Sequence, residues 1–259
     1  MYALLVSIAL PLLLILIGNC ARTYSNPLHV EDSFSHGVAT WYGSPTGFGS
    51  AGACGFQNDV ENPPYNSMVA AGNNIIYQSG KGCGACYEVK CTDHPACSGF
   101  PVTITIADEC PSCQHDSHHF DLSGTAFGCL AKPNQADTLR KAGKINIHQR
   151  RVQCHYHTDI KFKLDQGANP YYLAFLVEHM SGDGDVSSVE VLTSNSKGKW
   201  MSMQRSWGET WKMDMPDGMK GPFTVRLTTV KSGKQIVAKD AIPADWYPGQ
   251  KCESKLTLE

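Results

Sequence analysis

His119-Phe120-Asp121-Leu122-Ser123-Gly124-Thr125-Ala126-Phe127-Gly128 follows a strand-like run that ends at Asp108. Asp108 and Asp121 thus stand about a dozen residues apart, which is how a chain can build an acid site on β scaffolding. Ser123 is a plausible N-cap, because its hydroxyl can accept from N–H groups that the first turn of a short helix leaves unpaired. Asp121 then sits just outside a helix N-terminus, with Phe120 and Leu122 packing beneath it, and is aimed rather than merely exposed. Upstream, Val102-Thr103-Ile104-Thr105-Ile106 alternates in period two with Val102, Ile104 and Ile106 on one face. Asp108 shares the parity of that apolar face. A carboxylate there is partly desolvated, which raises its pKa unless something hydrogen-bonds it.

Residues 3 to 17 form an uncharged apolar block that Gly18-Asn19-Cys20-Ala21 closes. Some ~15 apolar residues are too few to span a bilayer comfortably and suit the core of a secretory signal peptide, although no Lys or Arg precedes them. A lipid anchor on Cys20 is the competing reading, and Asn19 stands where a small residue is needed. Residues 1–21 are therefore expected to be a signal peptide and 22–35 an N-terminal extension, leaving a secreted protein. Charged residues make up 18% of the chain, below the ~25% of typical soluble domains. With a net charge of −2, no electrostatic footprint for nucleic acid or an anionic membrane exists. The expected partner is neutral.

Of 11 cysteines, ten remain after Cys20, and nine of these lie between Cys54 and Cys154 with only Cys252 beyond. That asymmetry places a domain boundary near residue 157. An even count in a secreted chain favours disulfides, whose pairing sequence alone does not give. Cys83-x-x-Cys86 and Cys110-x-x-Cys113, followed by His115, His118 and His119, could be read as a zinc or redox site. The separation of the two pairs exceeds a zinc ribbon's and no βαβ pattern surrounds Cys83, so no metal or cofactor is expected.

Gly37 to Tyr42 and Cys86 to Cys91 read as strands, and a glycine-rich loop runs from Thr46 to Gly55. Asn134 to Ala142, between Pro133 and Gly143, reads as a helix with acid early and bases late. Beyond Thr158 the strand signals are Ile160-x-Phe162-x-Leu164, Tyr171 to Val177, Val186 to Val191, Phe223-x-Val225-x-Leu227 and Ile236 to Ala238. They suit a two-sheet sandwich of about a hundred residues.

Thr40-Trp41-Tyr42-Gly43, Gly52-Ala53-Cys54-Gly55, Gly82-Cys83-Gly84-Ala85-Cys86-Tyr87, His119-Phe120-Asp121-Leu122-Ser123 and Ala126-Phe127-Gly128, in this order, resemble the plant expansin family. In the second half Asn169-Pro170-Tyr171-Tyr172-Leu173-Ala174, Ser206-Trp207-Gly208 and Lys220-Gly221-Pro222-Phe223 resemble its β-expansin branch. The resemblance implies a mainly β chain: a six-stranded double-psi β-barrel over 36–157, similar to family-45 endoglucanases, then an immunoglobulin-like polysaccharide-binding β-sandwich over 158–259. It implies a monomeric cell-wall protein that loosens contacts among cellulose, xylan or xyloglucan without bulk hydrolysis. It also implies bridges Cys54 to Cys83, Cys86 to Cys154 and Cys91 to Cys97, leaving Cys110, Cys113, Cys129 and Cys252 unassigned, with Cys110 to Cys113 conjectured only.

Asp121 matches the acid of the related endoglucanases, whereas the base position on the first barrel strand, Thr40 to Gly43, holds no carboxylate. Inverting hydrolysis needs both carboxyls, ~6.5 to 9.5 Å apart, and losing the base costs about 10² to 10⁴-fold. Asp108 is the expected partner of Asp121 in a sugar-hydroxyl network with Thr40 and Tyr42, and Trp41 is a further candidate contact. Where β-expansins usually carry an Asp in the glycine-rich loop, this chain has Gly49-Ser50-Ala51-Gly52. His118 reads as a solvated loop residue and His119 as a packed aromatic partner. In the sandwich Tyr172 and Trp207 match a flat sugar-stacking surface; Trp200 and Trp211 are further candidates, although a lone Trp in a small sandwich is more often core. The rival functions are an endoglucanase and a wall-binding protein without loosening activity. A thiol protease would need a free Cys beside His, which disulfide pairing removes.

Overall fold

The computed structural model describes residues 33–257, so the expected signal peptide and most of the extension lie outside the described residues. Six strands close a barrel: β1 (Ser35–Tyr42), β2 (Val69–Gly72), β3 (Cys86–Lys90), β4 (Val102–Glu109), β5 (His119–Ser123) and β6 (Ile145–Val152). Around the barrel they run β1-β5-β2-β4-β3-β6, with β1–β5 and β2–β4 parallel and the other pairs antiparallel. Period-two alternation supplies the interior: Ala39 on β1, Ile104 and Ile106 on β4, Phe120 and Leu122 on β5, all at most 1% exposed. The alternate residues, Thr40 and Tyr42 on β1 and His119, Asp121 and Ser123 on β5, lie on the opposite face.

Three short helices accompany the barrel: α1 (Asn74–Tyr77), α2 (Gly124–Cys129) and α3 (Ala136–Ala142). Ser123 caps α2 as expected, its Oγ accepting from the Ala126 N–H at 3.0 Å. Asp121, however, stands two residues before that cap, inside β5. The helix read from Asn134 begins at Ala136 instead, because Asn134 takes a left-handed φ of 63° that cannot continue a helix.

The remaining strands are β7 (Asp159–Leu164), β8 (Tyr172–Glu178), β9 (Val186–Leu192), β10 (Met201–Ser202), β11 (Gln204–Trp207), β12 (Thr210–Asp214), β13 (Phe223–Thr229), β14 (Gln235–Ile242) and β15 (Lys251–Thr257). They form a five-stranded sheet, β11-β12-β8-β7-β15, and a four-stranded sheet, β10-β9-β13-β14. Phe162, Phe175, Val189, Phe223 and Val225 fill the space between the sheets.

Bridges join Cys54 to Cys83, Cys86 to Cys154, Cys91 to Cys97 and Cys110 to Cys113, and Cys252 is a buried free thiol in the sandwich core. With Cys83 and Cys86 bridged to Cys54 and Cys154, and Cys110 bridged to Cys113, no thiolate of the two CxxC pairs is free to ligate zinc. Among the described residues no cluster of His, Cys, Asp or Glu has metal-binding geometry.

The two units pack tightly. A Cβ on Gly84 of the barrel would lie 2.4 Å from the Gly184 carbonyl, so backbone meets backbone there. Arg151 on β6 pairs with Asp185 at 3.0 Å, and Asp59 accepts from Lys163 of β7 and Lys251 of β15. Arg205 on β11 donates to the Gly80 carbonyl at 3.2 Å, and the Glu209 N–H donates to the Cys54 carbonyl at 3.0 Å. Sandwich and barrel are joined by hydrogen bonds at several separate points.

Candidate functional site

The barrel topology builds the site. Thr40 on β1 is registered with Asp121 on β5, Asp121 with Ala71 on β2, and Ala71 with Asp108 on β4. Four adjacent strands therefore present Thr40, Asp121, Ala71 and Asp108 in one row. Asp121 and Asp108 are two strands apart, about 9 to 10 Å between their Cα atoms at ordinary strand spacing. Ala71, between the two carboxylates, is buried against Cys110, Cys113 and the ring of Tyr42.

Thr40 donates its hydroxyl to Asp121 Oδ1 at 2.5 Å. Its own oxygen lies 3.1 Å from His119 Nε2, while His119 Nδ1 accepts the Gln114 N–H at 3.1 Å. That second bond sets the tautomer: Nδ1 carries a lone pair, so Nε2–H donates to Thr40, and Thr40 donates onward to Asp121. Burial, then the Lys144 charge, pulls the His119 pKa below its ordinary value despite Asp121, which keeps the ring neutral. His119 is thus more than a packed aromatic: it orients the hydroxyl that grips Asp121. The signal that could have exposed this was parity, since His119 and Asp121 share one face of β5. His118 is half-buried, and its carbonyl accepts the Val38 N–H at 2.9 Å, so it is a strand-edge residue rather than a solvated loop residue.

Asp108 plays a different part. Its Oδ1 accepts both the Ala53 and the Glu109 N–H, each at 2.7 Å. Burial nevertheless pushes its carboxyl up, against those two bonds, and the charge of Asp121 pushes the same way. Gly52 lies directly on it, where a Cβ would stand 1.9 Å from Asp108 Cγ. Asp108 is therefore the post to which the glycine-rich loop is tied.

Tyr42 also serves that loop, donating its phenol to the Ser50 carbonyl at 2.9 Å rather than to either carboxylate. Burial, then Asp108 and Asp121, pushes its pKa well up, which places the phenol near both acids while its proton is committed elsewhere. Trp41 is not brought to this cluster. It faces the barrel core, and its indole N–H donates to the Arg140 carbonyl at the end of α3 at 3.0 Å.

The loop carries the geometry on to the sandwich. Trp207 is 49% exposed, and its ring edge lies about where a Cβ on Gly55 would need 3.1 Å. Tyr172 lies half-buried on β8 opposite Asp214 of β12, on the outward face of the five-stranded sheet that alternates with core residues Leu173 and Phe175. Trp211 is core, as expected, with its N–H donated to Glu209 and the Arg205 guanidinium 4.4 Å over its ring. Trp200, by contrast, is not part of the sandwich core: it is partly exposed, with the Arg226 guanidinium 4.3 Å over its ring.

Residues 160–243 match the family model described as the Expansin C-terminal domain, and residues 69–149 match a double-psi barrel model described as Lytic transglycolase. Expansin-B4 of Arabidopsis thaliana is 49% identical over 231 residues, covering 88% of each chain. Pollen allergen Phl p 1 of Phleum pratense is 44% identical over 229 residues, covering 86% of each chain. The chain belongs to the plant β-expansins. Among solved structures, apo Clavibacter michiganensis expansin superposes on this expansin with a TM-score of 0.65 at 23% identity, covering 85% of this chain and 96% of that one. A variant of the same bacterial expansin, solved in complex with cellohexaose, gives a TM-score of 0.64 at 22% identity. At that identity the likeness speaks for the fold: the β-expansin shares both the barrel and the second β domain.

Proposed function

We propose that this β-expansin is secreted to the plant cell wall and loosens it by gripping a β-linked polysaccharide across the row Thr40–Asp121–Ala71–Asp108, without cutting it. One observation carries the reading. The second carboxylate of the row is spent on structure, since Asp108 Oδ1 already accepts two backbone N–H groups and Gly52 packs on its carboxyl. The outward face of β1 offers His36, Val38, Thr40 and Tyr42, none of them a carboxylate. No carboxylate on that strand is placed to activate water while Asp121 protonates a leaving oxygen, as inverting hydrolysis requires.

Asp121 is left as a strong acceptor aimed at sugar hydroxyls, its near oxygen fixed by Thr40. Trp207 and Tyr172 offer aromatic faces, which suit the apolar faces of pyranose rings. The solved bacterial expansin complex holds cellohexaose, which supports a cellulose-type chain as the ligand class. Binding of this kind competes with the lateral hydrogen bonds between polymers, so strain on the wall is relieved by slippage. Among the described residues no helix is long and apolar enough to cross a membrane.

The test is constant-load extension of heat-inactivated walls with purified protein, with Asp121→Asn alongside. Extension is expected without matching release of reducing sugar. Asp121→Asn should lower the extension rate by about tenfold or more, the range of a lost charge-assisted hydrogen bond. Sugar release that tracks extension, or full activity of the variant, overturns the reading.

A further inference from the structure

Phe48 is 69% exposed. Isolated exposed apolar residues are ordinary on protein surfaces, so exposure alone carries nothing. What sets Phe48 apart is its mount. Its N–H is donated to Ser44 Oγ at 3.0 Å and its carbonyl accepts the Ser44 N–H at 3.2 Å, which closes a tight turn directly after Gly43. On either side the loop is pinned. A Cβ on Gly47 would lie 2.4 Å from that of Ser67, the Gly49 N–H donates to Glu61 at 3.1 Å, and the buried Ser50 hydroxyl donates to the Gly47 carbonyl at 2.6 Å. A rigid, hydrogen-bonded loop therefore holds one large apolar ring out in water.

The loop's position is fixed by the site itself. The Ser50 carbonyl takes the Tyr42 phenol, and Asp108 takes the Ala53 N–H. Gly43, the residue after Tyr42, has its Cα against the Phe48 carbonyl, where a Cβ would stand 3.1 Å away. Phe48 thus begins one residue's width from Tyr42, at the rim of the row that carries Asp121. At the far end of the same loop, Gly55 meets the exposed ring of Trp207. Trp41, the other aromatic of this stretch, is turned into the barrel and its N–H is committed to Arg140.

We propose that Phe48 is a stacking subsite of the barrel groove, taking the apolar face of an unsubstituted, neutral β-1,4-linked pyranose chain. The inference rests on the reading above, that such a chain lies over Asp121. The chemistry selects a neutral chain. Gly49-Ser50-Ala51-Gly52 brings no charged side chain to the loop, and a phenyl ring offers C–H contacts but no hydrogen bond to a uronate. Holding the loop backbone in place beforehand removes the ordering cost that a mobile loop would add on binding.

The test is calorimetric titration of cellohexaose, xylohexaose and a galacturonic acid hexamer into the full mature protein and into Phe48→Ala, Phe48→Trp and Trp207→Ala. Phe48→Ala should bind the two neutral oligomers about fivefold to tenfold more weakly, the range of one aromatic stacking contact. Phe48→Trp should bind them as tightly as the wild type, and the thermal midpoint should not move. The charged hexamer should be indifferent to position 48. Unchanged affinity of Phe48→Ala, alongside weakened binding by Trp207→Ala, overturns the subsite and leaves the polysaccharide reading standing. If neither variant weakens binding of any neutral oligomer, the polysaccharide reading fails and the subsite fails with it.

Discussion

Glu178 ends β8 at the junction of the two units, 1% exposed, with neither carboxylate oxygen hydrogen-bonded. Its neighbour His179 donates its N–H to the phenol of the barrel's Tyr65 at 3.4 Å, which locates the pair at the seam. The charged groups around Glu178 are Asp59 from the barrel, Lys161 and Lys163 from β7, and Lys251 from β15. Burial pushes the carboxyl up from 4.5 to about 7, Asp59 adds to this, and the three lysines only partly offset it. A group whose pKa is higher folded than unfolded binds extra protons in the fold, so stability is fullest below about 4.5 and declines as pH rises through about 7. The interval corresponds to about 3 kcal/mol against the ionised form. Glu178→Gln keeps the shape of the neutral acid and removes the charge. At pH 5 its thermal midpoint should match the wild type within a few degrees. At pH 8 it should be higher by roughly 6 to 12 °C, at about 2 to 4 °C per kcal/mol for a chain of this size. Glu209, buried with Arg205 and also pushed to about 7, slopes both curves alike, so the difference between variant and wild type isolates Glu178. Scanning calorimetry from pH 5 to 8 reads this out. A flat difference curve, or a variant less stable at pH 8, would show that the buried carboxyl has found a partner or water and would refute the reasoning.

Thr40→Val keeps the volume but removes the hydroxyl between His119 and Asp121, so wall extension should fall about tenfold or more. Thr40→Ser should restore most of it, and a Val variant with full activity would show that the relay is incidental. Gly52→Ala puts a methyl group onto the Asp108 carboxyl, where a Cβ would stand 1.9 Å from Cγ. Circular dichroism melts should show about 1 to 3 kcal/mol of destabilisation, together with weakened polysaccharide binding as the loop lifts off Asp108. A variant that melts and binds like the wild type would mean that the loop is not held by this contact.

The strands whose two faces differ in burial were legible: β4 and β13 alternate, and their apolar residues are the ones that reach the cores. The strand β2 was not, because Val69-Ala70-Ala71-Gly72 is buried on both faces, one under the loop and α1, and small residues buried all round carry no period. The strand β11 carries no period because Gln204-Arg205-Ser206-Trp207 buries none of its residues fully, whereas Thr210-Trp211-Lys212-Met213-Asp214 of β12 does alternate but is only five residues long, and in β15 the buried positions are held by Cys252 and Ser254, too weak an apolar signal to read. In the site, the residue types of Asp121 and Asp108 were readable but their roles were not. Parity put Asp108 beside the groove, yet nothing in sequence says that two backbone N–H groups some fifty residues apart in chain order, those of Ala53 and Glu109, converge on one oxygen. His119 reads as a packing residue in sequence because the tautomer that makes it a donor is fixed by a backbone N–H five residues earlier, in a loop without periodic signal.

Asp108 links the two binding surfaces mechanically. It holds Gly52 and Ala53; the next residue, Cys54, accepts the Glu209 N–H from the sandwich at 3.0 Å; and Gly55 then lies against Trp207. Gly208, whose Cβ would fall 2.5 Å from the Ala53 and Cys54 carbonyls, admits no side chain between loop and sandwich. A carboxylate free to take a proton from water has to be reachable by that water. In Asp108 one oxygen, Oδ1, is committed to the loop through the Ala53 and Glu109 N–H groups. On the proposed reading, a polysaccharide held at both Asp121 and Trp207 spans two units that the loop from Gly52 to Gly55 ties together, so the contacts that engage Asp108 also set how the barrel and the sandwich present one chain.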